Sequence, residues 1–383
     1  MSINVLYLFI ITVAGKIRSS KSYGVNPTKK KIAVLIPSYR EDDIVLNTAR
    51  QAKQHDYPSD KFDVFFAAHH LKKETIEALR RVPVNVLEVE FELGSKARSL
   101  NALLNYLPEN EYEIAMILDA DNVMLPGMLE QVNDAFQQGF RCVQCHRIAK
   151  NRNTPVAVLD AMSEEINNHF FRKGLRSVGL SATVIGSGMA FEFKKLKEIY
   201  NKPGILGNPA CDREVDFETM KAGIQIEFIE KAFVLDEKVA NRAVYERQRT
   251  RWLESQIIHL KLFFDKAQGH LPKTADYWNK LFLNLIPPRL IFLASFTLIL
   301  FIVALQYLFN FYVLAPGTLW WLGLTALYFS TFLIAIPGSF YNKKTLQAIF
   351  YIPVLMVSML KALFKMKVSR KEFLHTPKTF TQK

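Results

Sequence analysis

The chain has 383 residues, with 49 Lys and Arg against 36 Asp and Glu, and half of it is apolar. That length admits two domains, or one domain with membrane segments. The net charge of +13 suits nucleic acid or, alternatively, anionic lipid and anionic substrates. No aromatic-interleaved basic stripe is present, so nucleic acid is not an expected partner. The basic residues instead track the apolar stretches: Lys16, Arg18, Lys21 and Lys29–Lys31 near one end, Lys361, Lys365, Lys367, Arg370 and Lys371 near the other. This is the pattern of cytoplasmic membrane flanks. The three cysteines, Cys142, Cys145 and Cys211, are too few and odd in number for a disulfide scaffold. Cys142 and Cys145 have a zinc-like spacing but no second pair completes a site, so buried thiols in a reducing compartment are expected.

In chain order, the first apolar run is Ile3–Ala14. It is too short to span a bilayer, which takes about 20 residues, and no small-residue cleavage site follows it. It is either an interfacial anchor or the remainder of a longer helix. Ile32–Pro37 reads as a buried strand, with Asp42 or Asp43 capping a helix to Gln54. Strands at Phe62–Ala68, Val84–Val89 and Ile114–Leu118 alternate with helices over Glu74–Arg81, Lys96–Tyr106 and Pro126–Phe136. Such alternation predicts a mostly parallel sheet covered on both faces. Ligands then bind at the carboxyl ends of the strands, where Pro37-Ser38-Tyr39, Ala68-His69 and Asp119–Asp121 fall. Further on, Thr154–Arg172 reads as a helix, Gly186-Ser187-Gly188 as a mobile loop between short strands, and Asp212–Ala222 as a helix stopped by Gly223. A long helix is expected over Ala243–Asp265. Three apolar segments follow at Arg289–Phe309, Leu319–Pro337 and Thr345–Phe364. The first two are long enough to cross a membrane. Three crossings would put the basic tail opposite the basic N-terminal flank, so two are expected, with the third segment, broken by Pro353, lying in or dipping into the cytoplasmic interface.

Asp119 and Asp121 follow an apolar strand and aim at one point, where they can meet a divalent cation. Hard oxygen ligands suit Mg2+ or Mn2+. In Gln248-Arg249-Thr250-Arg251-Trp252, the residues Gln248, Arg251 and Trp252 fall at i, i+3 and i+4, on one helix face. An amide, a guanidinium and an indole together supply donors for phosphate or hydroxyl oxygens and a surface on which a sugar ring stacks.

These stretches occur in an order that resembles membrane-bound family-2 glycosyltransferases with a GT-A fold, the group of cellulose, chitin and hyaluronan synthases. Ile36-Pro37-Ser38-Tyr39-Arg40-Glu41 is similar to the family's first nucleotide-binding loop, Lys96 with Asn101 to its Lys-x-x-x-x-Asn helix, and Asp119-Ala120-Asp121 to its metal motif. Gly186–Phe191 is similar to its acceptor-side loop and Gln248–Trp252 to its Gln-x-x-Arg-Trp signature. The resemblance implies an α/β GT-A domain with a mostly parallel sheet over 30–240, acceptor-side and interfacial helices over 241–288, and membrane helices with a basic tail over 289–383, preceded by a short apolar segment and linker at 1–29. It implies inverting, metal-dependent transfer of a sugar from a nucleotide diphosphate donor to a hydroxyl acceptor, in polysaccharide synthesis. Pro37, Tyr39, Glu41, Lys96 and Asp119 then bind the nucleotide sugar, Asp119 and Asp121 the metal, and Gln248, Arg251 and Trp252 the acceptor. The enzyme is then a multi-pass protein of the cell membrane with a cytoplasmic catalytic domain.

The family's base is an Asp some eleven residues before a helix-ending Gly, which maps onto Asp212, with Glu214 and Asp216 as alternatives. Cys211 stands where the family has Glu. Ala68 stands where it has an Asp for the nucleobase; His69 or His70 takes part of that work, or is a surface histidine. The acceptor is a glycan or is lipid-linked, and secretion of a polymer through two crossings would need oligomers or a partner. The alternatives are a single-addition transferase on a lipid-linked acceptor and a non-catalytic membrane scaffold of the same fold.

Overall fold

The computed structural model describes residues 1–92, 95–207 and 211–367. Helix α1 (Ser2–Ile17) is followed by alternating elements: β1 (Ile32–Tyr39), α2 (Val45–Lys53), β2 (Phe62–His69), α3 (Lys73–Arg80), β3 (Asn85–Val89), α4 (Lys96–Tyr106) and β4 (Ile114–Ile117). A short β5 (Val123–Met124) and α5 (Met128–Gln137) lead to β6 (Cys142–Ala149) and α6 (Pro155–Asn168). Helix α6 runs through a π-helical turn at His169–Gly174 into the single turn α7 (Leu175–Ser177). Next come β7 (Met189–Glu192), α8 (Phe193–Tyr200), α9 (Pro203–Leu206), α10 (Cys211–Lys221) and β8 (Ile226–Asp236). Helices α11 (Arg242–Leu262) and α12 (Ala275–Leu285) precede the apolar α13 (Arg289–Phe309) and α14 (Thr318–Ala335) and the pair α15 (Lys343–Ile349) and α16 (Ile352–Lys365).

Among the described residues, eight strands form one sheet in the order β3-β2-β1-β4-β7-β6-β8-β5. Strands β3, β2, β1 and β4 are parallel neighbours, as are β6 and β8. Strand β7 runs antiparallel between β4 and β6, and β5 antiparallel on β8. The parallel strands are apolar on both faces because helices cover both. Ile32, Val34, Ile36, Phe62, Val64 and Phe66 point to the side covered by α2 and α5, whereas Ala33, Leu35, Phe65 and Ala67 point to the side covered by α4 and α8. All three cysteines are buried free thiols.

Two boundary expectations are corrected. Neither Asp42 nor Asp43 caps α2, which begins at Val45 without a side-chain cap. The backbone turns at Arg40 (φ 57°), and the Asp42 carboxylate instead accepts from the Lys72 N–H at 2.8 Å, at the start of α3. The helix expected over Thr154–Arg172 is α-helical only to Asn168 before the π-helical turn.

Helices α13 and α14 are each long and apolar enough to cross a membrane, and α15 with α16 forms a pair bent by 47°. Proline 353 lies at the start of α16, as the expected break required. Helix α1 packs Val5, Leu8 and Ile11 into one apolar cluster with Phe296 of α13 and Tyr328 of α14. The expected basic tail, with Arg370 and Lys371, lies outside the described residues.

Candidate active site

Because β1, β2 and β4 are parallel, their carboxyl ends open on one edge. Tyr39 and His69 are paired across β1 and β2 there, with ring centroids 4.9 Å apart. His69 is fully buried and stacks on the exposed His70 at 4.4 Å. It is therefore not a surface histidine: burial, with the neighbouring His70, lowers its pKa, and Nε2 sits against the Phe91 backbone.

Two residues past β4, Asp119 meets Lys96 from the first turn of α4 in an ion pair. The Lys96 ammonium also donates to the Gly186 carbonyl at 2.8 Å. Gly186 and Gly188 both have left-handed backbones, φ 80° and 62°. Space as well as dihedral demands glycine. A Cβ on Gly186 would lie 3.1 Å from Asp212 Cβ and 3.5 Å from both Asp212 Oδ2 and Lys96 Nζ, and one on Gly188 would lie 2.7 Å from Val234 Cγ1. The glycine loop is thus wedged between the start of α10 and β8, and it brings Lys96, Asp119 and Asp212 together. Gln144 Nε2, buried in β6, donates to the carbonyls of Ser187 and Gly188 at 2.9 Å each and holds the loop from beneath.

Asp119, Asp121 and Asp236 each place a carboxylate oxygen within 4.8 Å of the others. Asp121 accepts from the Glu237 N–H at 2.8 Å, and Asn122 donates to Asp236 at 3.3 Å. Three converging carboxylates repel one another unless cations stand near. Lys96 stands before them. Behind Asp236, Lys238 donates to it at 2.6 Å, and Arg147 lies 3.9 Å away. Both basic groups also meet Glu164, at 3.6 and 3.0 Å. Burial pushes the Glu164 carboxyl up, but Arg147, Lys238 and Arg172 outweigh it and hold the group down at about 2. An all-oxygen set of carboxylates fits a hard divalent cation such as Mg2+ or Mn2+.

Helix α10 separates the three acids named as candidate bases. Asp216 accepts from Lys280 at 2.6 Å and from the Val184 N–H at 3.0 Å, and Glu214 is buried against Gly204. Of the three, Asp212 faces Gly186 and Lys96. On α11, burial lowers the pKa of Arg251, opposed by the negative charges of Asp212 and Asp119. The Gln248 Oε1 atom is buried with no hydrogen-bond partner among the described residues. Trp252 packs under the Arg249 guanidinium, 3.9 Å from its ring centre, and Arg249 in turn pairs with Asp160 of α6. Asn101 faces elsewhere, donating to the Tyr200 carbonyl at 3.0 Å and to Asn201 at 2.7 Å.

Two groups escaped the reading of the sequence. Asp236 had a visible signal: Phe233-Val234-Leu235-Asp236 repeats the pattern of Met116-Ile117-Leu118-Asp119, an apolar strand ending in an acid. The second is a buried polar ladder, Asp160, Glu164, Asn168 and Arg172, spaced four apart along α6 and its π-helical turn. That spacing puts the four side chains in one polar stripe along the helix.

The family model for glycosyltransferase-like family 2 matches residues 27–255. The chain belongs to this family and is a glycosyltransferase with the GT-A fold. Among solved structures it is similar to the mannosyltransferase PcManGT from Pyrobaculum calidifontis in complex with GDP-Man and Mn2+, at 18% identity and a TM-score of 0.59 over 96% of both chains. S. aureus TarS matches at 13% identity and a TM-score of 0.42, over 87% of this chain and 53% of that one. No curated protein matches the chain.

Proposed function

We propose that this glycosyltransferase transfers a sugar with inversion from a nucleotide diphosphate sugar to a hydroxyl acceptor at the cytoplasmic face of a membrane, assisted by Mg2+ or Mn2+. The observation that carries this reading is the meeting of Lys96, Asp119, Gly186 and Asp212 at the carboxyl edge of the sheet. Asp119, Asp121 and Asp236 would hold the ion, whose charge offsets that of the diphosphate leaving group when bound. Pro37, Tyr39 and Glu41 seat the nucleotide, and the Lys96 ammonium turns toward its phosphates. Asp212 takes the proton of the acceptor hydroxyl as that oxygen attacks the anomeric carbon opposite the leaving group. The anomeric carbon–oxygen bond breaks and its electrons leave on the diphosphate. Such a base contributes about 10²–10⁴-fold. Arg251 compensates the acids, and Gln248 and Trp252 shape the acceptor side.

Single addition to a lipid-linked acceptor is a second reading, and one feature suits an acceptor held in the membrane. The approach to α13 is tied to neighbours of the proposed site. Gln256, one turn past Trp252, donates to the Asn284 and Ile286 carbonyls at 2.9 and 3.0 Å, and Arg213, beside Asp212, donates to the Asn284 side chain at 3.0 Å. The site therefore lies close to where the chain enters its first apolar span. Nucleotide release from UDP- and GDP-sugars, with and without Mn2+, tests the main reading, GDP-mannose with Mn2+ being the first pair to try. Release from none of them would leave the scaffold reading. Product size then separates the two acceptor readings: a ladder of long chains supports polymer synthesis, one added sugar the lipid-linked acceptor.

A further inference from the structure

The polar stripe of α6 takes no part in the chemistry set out above, yet burying such groups costs free energy unless each charge is answered. Its centre is Glu164, which stands behind Asp236. The Asp236 carboxylate is fixed at both oxygens: Oδ1 accepts from Asn122 at 3.3 Å and Oδ2 from Lys238 at 2.6 Å. Lys238 Nζ also lies 3.6 Å from Glu164 Oε2. Arg147 is shared in the same way. Its Nη2 donates to Glu164 Oε2 at 3.0 Å, and its Nε lies 3.9 Å from Asp236 Oδ2. Arg172 closes the far side, its Nη1 4.0 Å from Glu164 Oε1. Three cations thus serve two acids, and Glu164, Asp236, Lys238 and Arg172 are all buried, where charges act on one another strongly. The Lys238 main chain is pinned by Asn151, which accepts from its N–H at 2.7 Å and donates to its carbonyl at 3.0 Å. The resting place of the ammonium is therefore set by the two carboxylates that share it. One turn before Glu164, Asp160 accepts from the Val239 N–H at 3.3 Å and pairs with Arg249 of α11. The stripe so fixes α6 against the chain that leaves β8 at Asp236.

We infer that Glu164 is a positioning residue for the divalent ion: by sharing Lys238 and Arg147 with Asp236, it keeps these cations from drawing the Asp236 carboxylate back, so that Asp236 meets the ion beside Asp119 and Asp121. This rests on the ion-assisted transfer proposed above. Without Glu164, three cations would face one acid, which pulls Asp236 away from the ion and sets a positive field against it. Mn2+ binding to the purified full-length protein with UDP or GDP, read from the paramagnetic resonance of free Mn2+, measures this. Glu164→Gln is expected to weaken binding about tenfold, the low end for a group that orients a metal ligand. Glu164→Asp keeps the charge on a shorter arm and should lose less. Glu165→Gln removes the same charge one residue further on, where the partner is His146 at 2.9 Å, and should leave binding as it is. Lys238→Met added to Glu164→Gln takes away the cation that pulls on Asp236, brings the buried group back to its original net charge and should restore most of the lost affinity. A merely structural role for Glu164 predicts the reverse, because two buried changes then add. Parental affinity in Glu164→Gln, an equal loss in Glu165→Gln, or a double variant weaker than the single one overturns the inference. Should Glu164→Gln fail to fold, the charge-balanced double variant decides: near-parental affinity supports the inference and a loss of about tenfold overturns it. Absence of Mn2+ binding by the unaltered protein overturns the ion assignment itself and this inference with it, whereas equal binding by parent and Glu164→Gln overturns this inference alone.

Discussion

Replacing Asp212 by Asn isolates the proposed base. The carboxyl packs so tightly on the glycine loop, with its Cβ 3.1 Å from where a Gly186 side chain would begin, that only an isostere keeps the local shape. Asn preserves volume and removes the ability to take a proton. If Asp212 is the base, turnover falls about 10²–10⁴-fold, which is about 3–5 kcal/mol on the barrier. Donor binding responds differently. Lys96 lies beside Asp212, and the Asp212 charge acts on Arg251, so the loss of one negative charge makes the site more favourable to a diphosphate. Nucleotide affinity is therefore expected to hold or rise. Rapid-quench single-turnover transfer gives the rate, and titration calorimetry with the nucleotide diphosphate gives the affinity. Asp216→Asn serves as the contrast: it breaks the ion pair with Lys280 and lowers thermal stability more than it lowers the rate per folded molecule. A near-normal single-turnover rate in Asp212→Asn, or a larger rate loss in folded Asp216→Asn, refutes the assignment.

Three further outcomes are expected. Asp236→Asn weakens Mn2+ binding in the presence of donor about 10–100-fold, read from the paramagnetic resonance of free Mn2+; unchanged affinity removes Asp236 from the ion's ligands. Gly188→Ala costs about 2–4 kcal/mol, because it adds left-handed strain to a contact of 2.7 Å with Val234; a melting temperature equal to that of the parent refutes this. Burial holds His259, beside Ser255, Arg213 and Asp212, down at about 4 from 6.5. Its folded pKa is the lower one, so the unfolded chain binds the proton first as pH falls. The stabilisation from the neutral ring is complete above pH 6.5 and is lost as pH falls toward 4, on the order of 2–3 kcal/mol. His259→Gln should flatten the slope of unfolding free energy in that window, and an identical slope would count against it.

Much of the scaffold was readable before any coordinates, because burial leaves a local record. A strand covered on both faces must be apolar along its length, so Ile32–Pro37, Phe62–Ala68 and Ile114–Leu118 announced themselves. The edge they share followed from their alternation with helices, and it carried Tyr39, His69 and Asp119 to one side. The break at Pro353 was equally local. What stayed hidden was every decision that depends on partners distant in sequence. Strand β7 is four residues long and has nothing of its own to say that it will run antiparallel between β4 and β6. Asp42 is a good helix cap by residue type, yet the turn at Arg40 gives it to the next helix.

Residue type and spacing thus raised the expectation of a metal at Asp119 and Asp121 and of a phosphate and a sugar beside the helix of Trp252, and the family resemblance added Asp212. Only the folded sheet decided that Asp236 joins Asp119 and Asp121. It does so because β8 lies beside β6 in parallel register, pairing Asp236 with Ala149. Only packing decided that the last apolar helix lies along α11. Apolar composition makes a helix leave water, but the Arg242, Glu246 and Glu254 contacts determine which surface it finds. Local chemistry is written residue by residue, whereas a strand's neighbours and a helix's resting place are settled by free energies summed over the whole fold.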